Sequence, residues 1–261
     1  MRRAWLGIVL LAACKKTTIT VTPDAASRTE PRSVVLGPAG YDVELAGKHL
    51  APGCLGPGPG VTVPKKDGVF DEEGLRACLV VLKKTATDGS ITLSATNETT
   101  YQELVSAIDA AREDAAKAPL FPEPLFGPPK GAKLTQPDLP PMPLGPSDSS
   151  PEGVLVILKK TELLMDEKHV ALVPADPTHG FSAEHKKGGV VEGVYLTSLG
   201  AELSAWHARD QEIRKATGKK GSSPAVLVAD KSTPYRIFFE VFYTLVQSGS
   251  PSVRLVVLNA K

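Results

Sequence analysis

Ten prolines fall in the 31 residues from Phe121 to Pro151, and no other feature limits the fold of this chain as much. Proline has no amide donor and a fixed φ, so such a segment cannot build a helix or the ladder of a central strand and is biased toward extended polyproline II. The chain is therefore expected to form two folding units, over residues 34–126 and 151–261, joined by a Pro-rich linker over 127–150. The competing reading of the segment is a proline-rich peptide that docks to a partner. A length of 261 residues suits two ordinary domains.

In the second unit, short runs rich in Val, Ile and Leu predict strands over 153–159, 169–174, 224–229 and 253–258. Leu199, Leu203, Trp206 and Ile213 recur at helical spacing and predict a helix from Ser198 to Thr217. A second helix is expected near Thr233, with Thr233 as its cap and Pro234 in its first turn. Its apolar face is Ile237, Phe238, Val241, Phe242 and Leu245, and Gly249 ends it. The glycine-rich, basic stretch from Ala175 to Val194 reads as an insert that loops out.

The segment Ala95-Thr96-Asn97-Glu98-Thr99-Thr100-Tyr101 has a counterpart, Ala229-Asp230-Lys231-Ser232-Thr233-Pro234-Tyr235, 134 residues later (235 − 101). Upstream, Ile91 to Ser94 matches Ala225 to Val228; downstream, Leu104, Val105 and Ile108 match Phe238, Phe239 and Phe242. Strand, polar turn, tyrosine and amphipathic helix recur in register, with chance likeness of two strand-turn-helix units as the alternative. On the repeat reading, Asp71 to Thr87 is the earlier helix of the first unit, with Leu75, Cys78, Leu79 and Leu82 on one face.

The stretch Pro224–Leu258 resembles the periplasmic domain of the ExbD/TolR family of energy-transducing membrane proteins. In that family a strand ends in Ala-Asp, a tyrosine follows a few residues later, and a helix leads through a glycine to the last strand. The matching residues are Val226 to Asp230, Tyr235, the helix up to Gly249, and Val253 to Val257. Residues 153–174 and the helix from Ser198 fit the family's opening strands and first helix, with an extra loop, whereas 41–126 match faintly. The resemblance implies an α+β fold of two small ExbD/TolR-like repeats, each a mixed three- to four-stranded sheet with two helices. It also implies a tendency to pair, so the two repeats are expected to pack on each other within one chain, against which stands the proline linker as a semi-rigid spacer. Family members carry an N-terminal transmembrane helix with an aspartate that takes part in proton flow. This sequence shows neither, and proton-driven work is not carried over.

The chain opens with Arg2 and Arg3, an apolar run from Ala4 to Leu11, and Ala12-Ala13-Cys14, which reads as a secretion signal over 1–13. The run is far shorter than the roughly 20 residues of a spanning helix. Leu11-Ala12-Ala13-Cys14 resembles the lipobox of bacterial lipoproteins, which implies a diacylglycerol on Cys14 and a mature chain of 248 residues (261 − 13). The alternative is an ordinary signal peptide with a chance cysteine. Lys15, standing where enteric inner-membrane lipoproteins carry aspartate, favours the outer membrane. Residues 14–33 read as a flexible tether. Cys54 and Cys78 are expected to form a disulfide in such an oxidising compartment, or else to be two buried thiols.

Formal charge is only +1, from 30 basic and 29 acidic residues, which gives no field for a polyanion, so nucleic acid is not an expected partner. The five histidines His49, His169, His179, His185 and His207 match no helical pair or zinc ribbon. His179 and His185 flank Glu184 in what reads as a solvated loop, and no metal or cofactor is expected. Gly56 to Gly60 lacks the lysine and Ser/Thr of a phosphate loop, and no Gly-x-Ser-x-Gly elbow occurs. Tyr101 and Tyr235 occupy the same place in each repeat, where a ring either closes the core or, with Asp230, forms a partner surface; Asp230 otherwise serves its turn. The expected function is a non-enzymatic, lipid-anchored, periplasm-facing binding or scaffold protein. Its expected partners are the membrane, through Cys14, and envelope proton-channel complex proteins or peptidoglycan. The alternative is an envelope-acting hydrolase with an unrecognised site.

Overall fold

The computed structural model describes residues 19–21, 32–85, 90–129, 132, 144–146, 153–221 and 223–258. Cys14, the signal segment and most of the expected tether and linker lie outside these residues. Short strand β1 (Ile19–Val21) precedes the first half, which runs β2 (Arg32–Gly37), β3 (Gly40–Leu45), β4 (Lys48–His49), β5 (Val63–Pro64), helix α1 (Glu72–Thr85), β6 (Ser90–Ala95), α2 (Tyr101–Arg112) and β7 (Glu123–Phe126). After β8 (Leu144–Pro146), the second half runs β9 (Val154–Leu158), β10 (Glu162–Met165), β11 (Lys168–Leu172), α3 (Thr197–Thr217), β12 (Ala225–Asp230), α4 (Tyr235–Gln247) and β13 (Val253–Leu258).

The first sheet has the order β4-β3-β2-β6-β7, with β5 added on β3, and the second has the order β11-β10-β9-β12-β13. In each, an antiparallel hairpin opens the half, its first strand lies parallel to the strand after the long helix, and that strand lies parallel to the last. The register corresponds as well: Val34 sits opposite Leu93, and Val156 opposite Leu227, which stands where Leu93 does in the sequence repeat. The chain is thus α+β, with six- and five-stranded mixed sheets in place of the expected three or four strands. Much of the excess comes from short pairing strands that pattern does not reveal. Glu162-Leu-Leu-Met, the interior strand β10, has no β-branched residue and no alternation, and its pairing shifts register between Leu163 and Leu164.

Helix placement follows from sequence chemistry. In α1, Glu72 and Glu73 occupy the first turn and Lys83 and Lys84 the last, which complements the macrodipole, and Leu75, Cys78, Leu79 and Leu82 face the core. In α3, Leu199 and Leu203 are buried, but Ile213, expected on the same face, is exposed along with most of the later turns; Gly218, in the left-handed region, ends the helix. Every side chain of α4 from Tyr235 to Leu245 is buried, Arg236 and Glu240 included.

The structure departs from the sequence expectations at three further places. The Ala175–Val194 insert does not loop out: Phe181, Lys186 and Val194 are buried and the strap lies over α4. Thr233 does not cap α4, because Pro234 occupies the N-cap position and the Thr233 hydroxyl finds no partner among the described residues. The tether and linker are not wholly irregular, since the β-branched run Ile19–Val21 pairs antiparallel with Leu144–Pro146, and β2 already begins at Arg32.

Candidate functional site

The two matched turns, before α2 and before α4, meet. The first amides of a helix have no intrahelical acceptor, and here each helix finds its acceptors in the other half. At α2, Tyr101 N–H donates to the Thr233 carbonyl at 2.7 Å and Gln102 N–H to that of Lys231 at 3.0 Å. At α4, Tyr235 N–H donates to the Thr99 carbonyl at 2.6 Å and Arg236 N–H to that of Asn97 at 3.3 Å. These four bonds form two pairs related by the 134-residue offset, with Thr100 bridged to Pro234 at the centre, so the contact has the reciprocal form of a two-fold interface within one chain. Thr100 adds a capping box with Glu103 for α2 alone.

Aromatic side chains fill the junction. Tyr101 stacks on Phe238 at 4.9 Å between ring centroids, and Phe126 of β7 meets Phe242 edge-on at 4.9 Å. The Tyr235 hydroxyl donates to the Gly127 carbonyl at 2.6 Å, deep in the first half, whereas the Tyr101 hydroxyl has no partner among the described residues. Both tyrosines are fully buried, and burial pushes both phenols up from their ordinary pKa. Of the two readings of these tyrosines, the partner surface gives way to the core: Tyr101 and Tyr235 join the halves of one core. Burial disfavours ionisation of Asp230. Hydrogen bonds from the Ser232 hydroxyl and amide, with Lys160 and Lys231 nearby, nevertheless hold its carboxyl below the usual range, as befits a turn residue.

Beside this junction the strap is held by buried charges. Glu240 accepts from Arg236 Nε at 2.6 Å, from Lys186 Nζ at 2.9 Å and from the Phe181 amide at 2.9 Å. Lys186 also donates to the carbonyls of His179 and Val191, at 2.7 and 2.6 Å, and Arg236 to those of Glu192 and Gly193, both at 3.0 Å. Burial raises the Glu240 pKa against the pull of Lys186 and Arg236, and burial lowers that of Lys186 against the pull of Glu240. Every ammonium hydrogen of Lys186 has an acceptor, so the cluster fastens the strap to α4. Gly180 is required beneath it, because φ is +76° and a Cβ would run into the Glu240 carboxylate. Asn97 of the first turn reaches the same strap, donating to the Thr178 carbonyl at 2.8 Å.

An open apolar cleft of about 430 Å³ lies at the outer edge of the first sheet. Its walls are Leu45, Leu50, Leu55, Pro57, Val81 and Leu82, with Lys48 at the rim. The disulfide Cys54–Cys78 ties the loop that carries Leu55 to α1, which carries Val81 and Leu82; the two Cα atoms are 5.4 Å apart. That loop runs through positive φ at Gly53, Cys54 and Gly56, and Leu55 is left 88% exposed at its tip. Nothing in Gly56 to Gly60 points to this cleft; its one local signal is Leu55, set between Gly53-Cys54 and Gly56.

The histidines do not converge. His49 pairs with Asp42 at 3.0 Å, whose hydrogen bond raises the imidazole pKa; His169 and His179 are exposed; and His185 lies 3.7 Å from Glu184. His207, whose pKa burial lowers, is 3.4 Å from the Ser250 hydroxyl. Asp210 does not orient that histidine, because it binds Arg214 and Ser223, and Ser250 is buried. Among the described residues no group of three His, Cys, Asp or Glu side chains is placed to hold a metal, and no helix is long and apolar enough to cross a membrane. Compared with family models, curated proteins and solved structures, the chain matches none of them.

Proposed function

We propose that this chain is a lipid-anchored binding or scaffold protein of the bacterial cell envelope, built from two ExbD/TolR-like repeats and held to the membrane through Cys14. The observation that carries the reading is the reciprocal capping of α2 and α4 by the opposite turn. It is the arrangement expected when a domain that pairs with its own copy is duplicated in one chain, because the linked pair gains from high effective concentration. Further support comes from β12 ending in Ala229-Asp230, Tyr235 opening α4, and the return through Gly249 to a parallel β13. The Cys54–Cys78 disulfide fits an oxidising compartment. Partners on this reading are proteins of an envelope proton-channel complex or peptidoglycan, and the outer membrane is the favoured location.

The experiment is mass spectrometry of the mature N-terminus, with fractionation of wild type and Cys14→Ser, followed by cross-linking in intact envelopes. The expected results are an acylated Cys14, release of Cys14→Ser from membranes, and cross-links to envelope-complex proteins or peptidoglycan. An unmodified, soluble mature chain in its native host refutes the anchor. Turnover of a peptidoglycan or ester substrate that is lost in His207→Ala or Ser250→Ala would replace the scaffold with a hydrolase.

A further inference from the structure

We infer that the cleft beside the disulfide is a binding site for a single fatty-acyl chain with an anionic head, a free fatty acid. A space of about 430 Å³ falls within the roughly 300–1,000 Å³ of small-molecule sites. Its walls are aliphatic, and two of them are exposed, Leu55 at 88% and Val81 at 44%, which favours an apolar occupant. Both walls are fixed before binding, because the Cys54–Cys78 bond staples the Leu55 loop to α1.

The rim sets the head group. The two-residue turn Ala46-Gly47 places Lys48 directly opposite Leu45 in the ladder. Side chains alternate across a strand, so Lys48 shares the Leu45 side of the sheet, while Asp42, Glu44 and His49 share the other. Those three are occupied with one another, His49 lying 3.0 Å from Asp42 and 3.4 Å from Glu44. Lys48 makes no ion pair among the described residues, and leaves one uncompensated ammonium at the mouth of an apolar trough. That pattern matches a carboxylate on an aliphatic chain. The acyl groups on Cys14 would bring no carboxylate of their own, so the site is independent of the anchor, and an unlipidated chain leaves the inference standing.

The test titrates laurate, and dodecanol as the same chain without charge, into the purified full chain carrying Cys14→Ser, by calorimetry and by displacement of a fluorescent fatty acid. One saturable site per chain is expected. Leu55→Asp and Val81→Asp, at solvent-facing positions and checked for folding by circular dichroism, should each abolish binding of both ligands. Lys48→Glu should weaken laurate roughly tenfold, through lost attraction and added repulsion, and leave dodecanol unchanged. Several results overturn the inference: no saturable uptake by folded protein, binding indifferent to Leu55→Asp, or equal effects of Lys48→Glu on both ligands. It is equally overturned if light scattering shows a dimer that Leu55→Asp disperses, or if the protein adsorbs to vesicles without taking up laurate.

Discussion

Replacing Glu240 by Gln keeps the shape of the side chain and removes the one anion between two buried cations. Wild type holds Lys186, Arg236 and Glu240 with almost no solvent contact, so the cluster carries two positive charges and one negative. Without the carboxylate, Lys186 and Arg236 face each other in a low-dielectric interior; breaking such a cluster costs about 3–5 kcal/mol, a third or more of the stability of many domains. Lys186→Met is milder, although it strips the carbonyls of His179 and Val191 of a donor. It leaves Glu240 and Arg236 as a neutral pair, and the expected cost is about 2–3 kcal/mol. The double variant should cost less than both together, because the two residues share one network. Urea denaturation at neutral pH followed by far-ultraviolet circular dichroism measures the order, and limited trypsin digestion at Lys187 reports release of the strap. A Glu240→Gln cost under about 1 kcal/mol would refute the charge argument. Equal costs for the two single variants would assign the latch to carbonyl hydrogen bonds.

Three further substitutions test the junction and α3. Tyr235→Phe leaves the buried Gly127 carbonyl without its donor and should destabilise by about 1–2 kcal/mol in urea denaturation, whereas Tyr101→Phe, which removes a hydroxyl with no partner among the described residues, should be neutral or slightly stabilising; the reverse order would deny the asymmetry. Burial resists ionisation of Asp210, but hydrogen bonds from Ser223 and then Arg214 bring its pKa below the ordinary 3.8. Its contribution is thus present above that value and lost as pH falls through the lower folded one. Asp210→Asn should flatten the acid limb of the stability profile in that window, and an unchanged limb would show that Asp210 does not supply it.

The elements that sequence reading located are those whose side chains obey a period. The runs around Val156, Leu227 and Leu255 became strands, and the alternation of Leu75, Cys78, Leu79 and Leu82 became the buried face of α1. The same reading failed where long-range contacts decide. Nothing local in Lys186 announces that it is buried, because the carboxylate that compensates it lies 54 residues later (240 − 186) in a helix read only for its apolar face. The matched segments place Tyr101 and Tyr235 at corresponding positions 134 residues apart. They could not show that each helix start is capped by the other turn, since that bond pattern exists only once both halves are folded.

The connections between the last hairpin strand and the long helix, 50–71 in the first half and 173–196 in the second, occupy the same place in the two topologies and are fastened by different chemistry. The first is bound covalently to α1 through Cys54–Cys78, and Thr62 secures its backbone by accepting from Val43 N–H at 3.0 Å and donating to the Leu50 carbonyl at 2.7 Å. The second is bound by ions to α4. A reductant should therefore act on one half only. A bond spanning 24 residues contributes about 3 kcal/mol, mainly by restricting the unfolded chain, and here it also sets the spacing of the two cleft walls. Cys54→Ser with Cys78→Ser, or dithiothreitol, should lower stability by about that amount and abolish laurate binding. The strap should stay resistant to trypsin, because neither the bonds of Glu240 nor the four junction hydrogen bonds involve a residue of the disulfide loop. If the strap loosens together with the cleft, the halves are coupled through α1 and α2, and the reciprocal turns transmit the change instead of merely joining two independent units.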